Sequence, residues 1–182
     1  LVPGVPEFDV GDRPAGGAVE VAVVVEIRAV AGRGAVQIDL FDESGAGEGA
    51  QVLTGGHALD GAGYFVEPTV LGNTTASMRV RREEIFGPVL CAMSFGDADI
   101  DALARLGNDT DYGLSAAIYT RDLSAAHKLA RRLKAGTVRI NFVGGVDPAM
   151  PLGGFKQSGW GRENGREGTL MYTEIKAVSV GL

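Results

Sequence analysis

Ser115-Ala116-Ala117-Ile118-Tyr119-Thr120 and Thr137-Val138-Arg139-Ile140-Asn141 enclose a segment that opens on Asp122 and carries Leu123, Ala126, Ala130 and Leu133. The two outer runs read as strands from their β-branched and apolar content. The inner segment reads as a helix with those four residues on one face. Asp122 can cap its start, and Lys134 and Gly136 supply the cation and the stop at its end. A strand, a helix and a second strand at this spacing predict a parallel βαβ unit.

Working outward, Val89-Leu90-Cys91-Ala92-Met93-Ser94-Phe95 is a nearly continuous apolar run, as a strand covered on both faces would show. Asp97 or Asp99 then caps a helix with Ile100, Leu103 and Leu106 on one face. The alternation of strands and helices predicts an α/β fold with a parallel sheet. Further upstream, Gln51-Val52-Leu53-Thr54 is a short strand. Tyr64 to Leu71 is extended, with Pro68 marking an edge or a bend. Downstream of Asn141 a glycine-rich loop runs to about Glu163, followed by a short helix near Asn164–Met171. Lys176-Ala177-Val178-Ser179-Val180 alternates as a closing strand whose edge needs cover. Residues 1 to about 48 have a different texture, rich in Val, Gly, Ala, Asp and Arg. Val19 to Val30 can form one strand, and Gly45-Ala46-Gly47-Glu48-Gly49 a flexible break.

The chain has 182 residues, which predicts one domain with a reasonable core. A net charge of −6 argues against nucleic acid and anionic membranes as partners, since both select basic patches. No run approaches the roughly 20 apolar residues of a membrane span. The single cysteine, Cys91, makes no intrachain disulfide, and a reducing, cytoplasmic setting is the expectation. Glycine takes 28 of the 182 positions, and the later ones fall where a loop-rich α/β enzyme turns.

Glu83-Glu84-Ile85-Phe86-Gly87-Pro88-Val89 carries the first chemical signal. A carboxylate such as Glu84 can accept hydrogen bonds from both vicinal hydroxyls of a ribose. An aromatic ring two residues on, Phe86, can pack against a flat nicotinamide. The competing reading is a helix end, with both glutamates solvated and Phe86 in the core. Other motifs follow in order: Asn108-Asp109-Thr110-Asp111-Tyr112-Gly113-Leu114, Ala135-Gly136-Thr137-Val138-Arg139-Ile140-Asn141, Pro151-Leu152-Gly153-Gly154-Phe155-Lys156-Gln157-Ser158-Gly159, Gly159-Trp160-Gly161-Arg162-Glu163 and Thr173-Glu174-Ile175-Lys176.

In this order and at this spacing, the motifs resemble the C-terminal part of an NAD(P)-dependent aldehyde dehydrogenase. The resemblance covers about Gly47 to Leu182. It implies the parallel βαβ portion of that family's catalytic domain over residues 47–172 and a C-terminal oligomerisation strand over 173–182. It implies NAD or NADP as cofactor, bound by Glu84 and Phe86, with a small aldehyde as substrate and a homo-oligomeric assembly. The family chemistry it implies is covalent: a cysteine thiolate attacks the aldehyde, hydride passes to NAD(P)⁺, and a glutamate base assists hydrolysis of the thioester. In that family the nucleophile and the base precede the first motif, so no catalytic residue is assigned here and the chain alone is expected to be inactive. The rival expectation is an inactive fragment or pseudoenzyme acting as an association module.

The loop residues Val146-Asp147-Pro148-Ala149-Met150 and Gln157-Ser158-Gly159-Trp160 resemble members acting on phenylacetaldehyde or betaine aldehyde. Leu152 departs from them, standing where an aromatic is usual. Residues 1–46 do not match, and the abrupt change of texture is what a shifted reading frame or a misplaced start would produce. Cys91 lies mid-strand among apolar neighbours, which predicts an inert buried thiol. His57 and His127 lack partners at ligand spacing, so no metal is expected. No glycine-rich dinucleotide loop with a strand before it and a helix after it occurs.

Overall fold

The computed structural model describes residues 22–25, 47–63, 65–93, 95, 99–142, 144–145 and 147–181. Most of segment 1–46, Ser94, the alternative cap Asp97 and the loop residue Val146 lie outside the described residues.

The central βαβ unit forms as expected. β6 (Ser115–Tyr119) runs parallel to β7 (Thr137–Ile140), with Ser115 opposite Thr137 and Ile118 opposite Ile140. Between them lies α3 (Leu123–Ala130), where the Asp122 carboxylate accepts from the Ala125 amide at 3.0 Å. One feature of the helix differs. Ala125, Ala126, Leu129 and Leu133 are buried, whereas Leu123 is 60% exposed. The buried stripe centres on Leu129 and Leu133, about 100° round the helix from Leu123. The helix also ends before Lys134 and Gly136, and Arg131, Arg132 and Leu133 turn back onto the His127 and Leu129 carbonyls. β1 (Ala22–Val25) adds to the other side of β6, antiparallel.

α2 (Ile100–Asn108) is capped by Asp99, whose side chain accepts from the Ala102 amide at 2.6 Å. Its Leu103 and Ala104 join Ala116, Ile118, Ala126, Leu129 and Leu133 in one core, with Ile100, Val138 and Ile140 packed around it.

The strand expected at 89–95 is a correction. β4 (Val89–Cys91) has three residues and pairs not with β6 but with β3 (Thr69–Gly72), in parallel, Thr69 opposite Val89. Leu90 is 43% exposed, so the strand is not covered on both faces among the described residues. An apolar run marks burial but does not name the neighbouring strand. β2 (Gln51–Thr54) lies antiparallel on the far side of β3, with an irregularity between Val52 and Thr54. The crossover from β3 to β4 contains α1 (Arg79–Arg82). Ala50, Leu71, Met78, Val80, Ile85 and Val89 make a second core under this sheet.

Downstream, β5 (Tyr112–Gly113) and β8 (Phe155–Lys156) pair antiparallel, and α4 (Gly165–Leu170) follows. The strand expected over 176–180 does not form: residues 173–181 join no ladder. A strand exists only through hydrogen bonds to a partner, and nothing in the described chain supplies one. Ile175, Val178 and Val180 are almost fully exposed.

Candidate functional site

α1 is short and basic, and it is anchored by Val80, which is buried. Its last hydrogen bond runs from the Glu83 amide to the Arg79 carbonyl, and at Glu83 the backbone becomes extended, with φ −87° and ψ 148°. Extended backbone sends successive side chains to opposite sides. Ile85 turns inward, 4% exposed, and joins Val80 and Val89 in the core. Glu84 and Phe86 both face outward, and Phe86 is 49% exposed. The core position that the competing reading gave to Phe86 is taken by Ile85.

Glu83 is occupied differently from Glu84, since its carboxylate accepts from the Arg79 guanidinium. Beyond Phe86 the backbone is pinned. Gly87 donates to the Ile85 carbonyl at 2.7 Å, Val89 donates to Gly87 at 2.8 Å, and the Pro88 carbonyl accepts from Thr69 at 2.8 Å. The outward carboxylate and ring are therefore presented on a fixed ledge above the second core.

Cys91 stands at the end of β4, half-buried, with Sγ 3.8 Å from the Val80 carbonyl. Burial pushes its thiol up from the ordinary value, and the nearby Arg81 guanidinium opposes this only in part. A raised thiol is a poor nucleophile at neutral pH.

The glycine-rich segment is stitched to the 108–113 turn. Lys156 Nζ donates to the carbonyls of Asn108 at 3.0 Å and Thr110 at 2.8 Å. Gln157 donates its amide to the Asp111 carbonyl, and Ser158 Oγ accepts from the Gly113 amide at 3.0 Å. Arg162 donates to the Gly154, Trp160 and Gly161 carbonyls and lies over the Phe155 ring. At the loop surface Met150 is 59% exposed and Trp160 88%. Asn108 uses both ends of its amide, donating to the Arg132 carbonyl and accepting from Lys134.

These contacts were not legible in the sequence. A lysine or asparagine in a glycine-rich motif reads as solvated unless its long-range partner is known. Nor does sequence pair His57 with Glu67, which stand 3.3 Å apart. His127 is exposed, and the described residues hold no cluster of three metal-ligating side chains.

The sequence model described as "Aldehyde dehydrogenase family" matches residues 30–178. The chain belongs to the aldehyde dehydrogenase family. It is 47% identical over 138 residues to the mitochondrial aldehyde dehydrogenase of Leishmania tarentolae, covering 76% of this chain and 27% of that protein. It is 45% identical over 141 residues to betaine aldehyde dehydrogenase 1 of Rhizobium meliloti, covering 76% of this chain and 28% of that protein. Among solved structures, the NAD⁺ complex of the Bacillus cereus aldehyde dehydrogenase superposes with a TM-score of 0.73 at 39% identity, over 81% of this chain and 30% of that one. The Staphylococcus aureus betaine aldehyde dehydrogenase in complex with NAD⁺ gives 0.68 at 38%, over 75% and 28%. The chain thus spans less than a third of the length of these aldehyde dehydrogenase relatives.

Proposed function

We propose that this chain is the C-terminal part of an NAD(P)-dependent aldehyde dehydrogenase, which oxidises an aldehyde to a carboxylic acid, and that Glu84 and Phe86 form one wall of its cofactor site. The observation that carries this reading is the pair's presentation: both side chains project outward from a ledge whose intervening Ile85 is locked in the core.

When bound, NAD(P)⁺ supplies the hydride acceptor. The pair fits such a group. An outward carboxylate has lone pairs for two ribose hydroxyls, and the half-exposed ring has a face for the nicotinamide. Ile85 and the hydrogen bonds around Gly87 hold both in place. The wall is not a whole site. A charged hydrogen bond contributes about 1.5–3 kcal/mol, whereas micromolar binding takes about 8 kcal/mol. No side chain of this chain is assigned to the chemical step, and Cys91 is unsuited to it. The 146–160 loop is assigned to the substrate mouth, a reading that the exposure of Met150 and Trp160 supports. An aldehyde of the betaine or phenylacetaldehyde type is the reading of that loop, supported by the betaine aldehyde dehydrogenases among the relatives.

NADH fluorescence titration of the purified chain tests the wall. Glu84→Gln should weaken the already weak binding by about tenfold or more, the equivalent of one charged hydrogen bond. Measurable wild-type binding that Glu84→Gln and Phe86→Ala both leave unchanged would overturn the reading. The same preparation should give no aldehyde-dependent NADH absorbance, and appreciable turnover would overturn the view that the chain alone is inactive.

A second reading, a homo-oligomeric association module, is favoured by one observation. Ile175, Val178 and Val180 are 99%, 80% and 78% exposed on a segment that joins no ladder among the described residues. Deleting 173–182 should shift the size-exclusion elution of an assembly toward the monomer, and an unchanged elution argues against it.

A further inference from the structure

We propose that Lys156 is a positioning residue which, through the 108–110 turn and the Asp109–Arg82 ion pair, ties the glycine loop to the segment presenting Glu84 and Phe86. Its value for catalysis rests on the cofactor-wall reading above; the tie itself does not.

Lys156 holds the turn from one side, with Nζ on the Asn108 and Thr110 carbonyls. Arg82 holds it from the other. Its two terminal nitrogens reach the two oxygens of Asp109, at 3.1 and 3.4 Å, a forked pairing that fixes direction as well as distance. Arg82 Nε also donates to the Ala76 carbonyl at 2.7 Å, so the guanidinium is clamped at both edges. Glu84 is two residues further along the chain. A displacement of the 108–110 turn therefore moves Asp109, then Arg82, then the ledge.

The backbone at Lys156 supplies an independent argument. Its φ is +54°, a left-handed conformation that an L side chain adopts at a cost and that glycine adopts freely. The neighbouring glycines show that the loop uses glycine elsewhere. At this position the strain is retained with a side chain long enough to reach two carbonyls. Burial and then Lys134 lower the ammonium's pKa from its ordinary value, and Asp111 and Asp109 oppose this in part.

Amide hydrogen exchange on the whole chain tests the tie. In Lys156→Met the amides of Tyr112 and Gly113 should exchange about tenfold faster, and those of Gly87 and Val89 on the ledge about fivefold faster, the most that an exposed ion pair can pass on. Lys156→Arg, which keeps a charged donor, should restore most of the protection. Lys156→Gly removes the backbone strain and should still exchange like Lys156→Met. Asp109→Asn combined with Lys156→Met should loosen Gly87 and Val89 no more than either change alone. Unchanged exchange at Gly87 and Val89 in Lys156→Met, or strictly additive effects in the double variant, would overturn the tie. A loosened ledge with an unchanged NADH titration would overturn the positioning role. An NADH titration indifferent to Glu84→Gln would instead overturn the cofactor-wall reading.

Discussion

A Cβ added at Gly136 would stand 1.6 Å from the carbonyl oxygen of Gly153, inside any allowed contact. The sequence reads Gly136 as a helix stop, but the helix ends earlier and this glycine instead lets the start of β7 pass against the glycine loop. Its residue type was legible, whereas its partner, set by the fold, was not. Gly136→Ala should therefore cost about 1–3 kcal/mol or more in urea unfolding, as overpacking against backbone does. Gly161→Ala is the control: nothing lies within 4 Å of its added Cβ, so the change should stay within about 0.5 kcal/mol. Cys91 permits a pH prediction. Burial raises its folded-state pKa above the ordinary 9.0, so the unfolded chain loses the thiol proton first as pH rises. The stabilisation is fully present below 9.0 and is lost as pH climbs from there through the folded pKa. Stability of wild type should fall faster above pH 9.0 than that of Cys91→Ala, measured by urea midpoints across the range.

Elements whose signals are local were the legible ones. The caps at Asp99 and Asp122 are read from one side chain and a following apolar stripe, and both accept the amide three residues on. Asp122→Ala should cost about 1 kcal/mol of stability, the usual loss for an N-cap. The same helix distinguishes two leucines that look alike in sequence. Leu129 is fully buried and its change to alanine should cost about 2–5 kcal/mol, while exposed Leu123 should cost well under 1 kcal/mol by the same denaturation measurement. Strand neighbours were the illegible part. Alternation in 176–180 and the apolar run at 89–95 describe faces, and a face does not say which backbone will pair with it. That is why β4 joins β3 rather than β6, and why 173–181 remains without a ladder.

At the scale of the whole molecule the described residues form two hydrophobic clusters. One lies between β6, β7, α2 and α3, the other under β3, β4 and α1. No described residue belongs to both. What joins them among the described residues includes the Arg82–Asp109 pair, whose side chains are 41% and 37% exposed. A pair so exposed contributes on the order of 1 kcal/mol at most. Such a molecule should open in parts, because each core can lose its packing without dissolving the other. Leu71 is fully buried in the second core, and Leu71→Ala removes about 2–5 kcal/mol from it. Amides of Thr69–Gly72 and Val89–Cys91 should then lose protection while those of Ser115–Tyr119 and Thr137–Ile140 keep theirs. Leu129→Ala should produce the reverse pattern, except at Val89, which the Arg82–Asp109 tie couples to the first core. Equal loss of protection in both sheets from either change would mean that the two cores unfold as one unit, through contacts stronger than the ion pair between them.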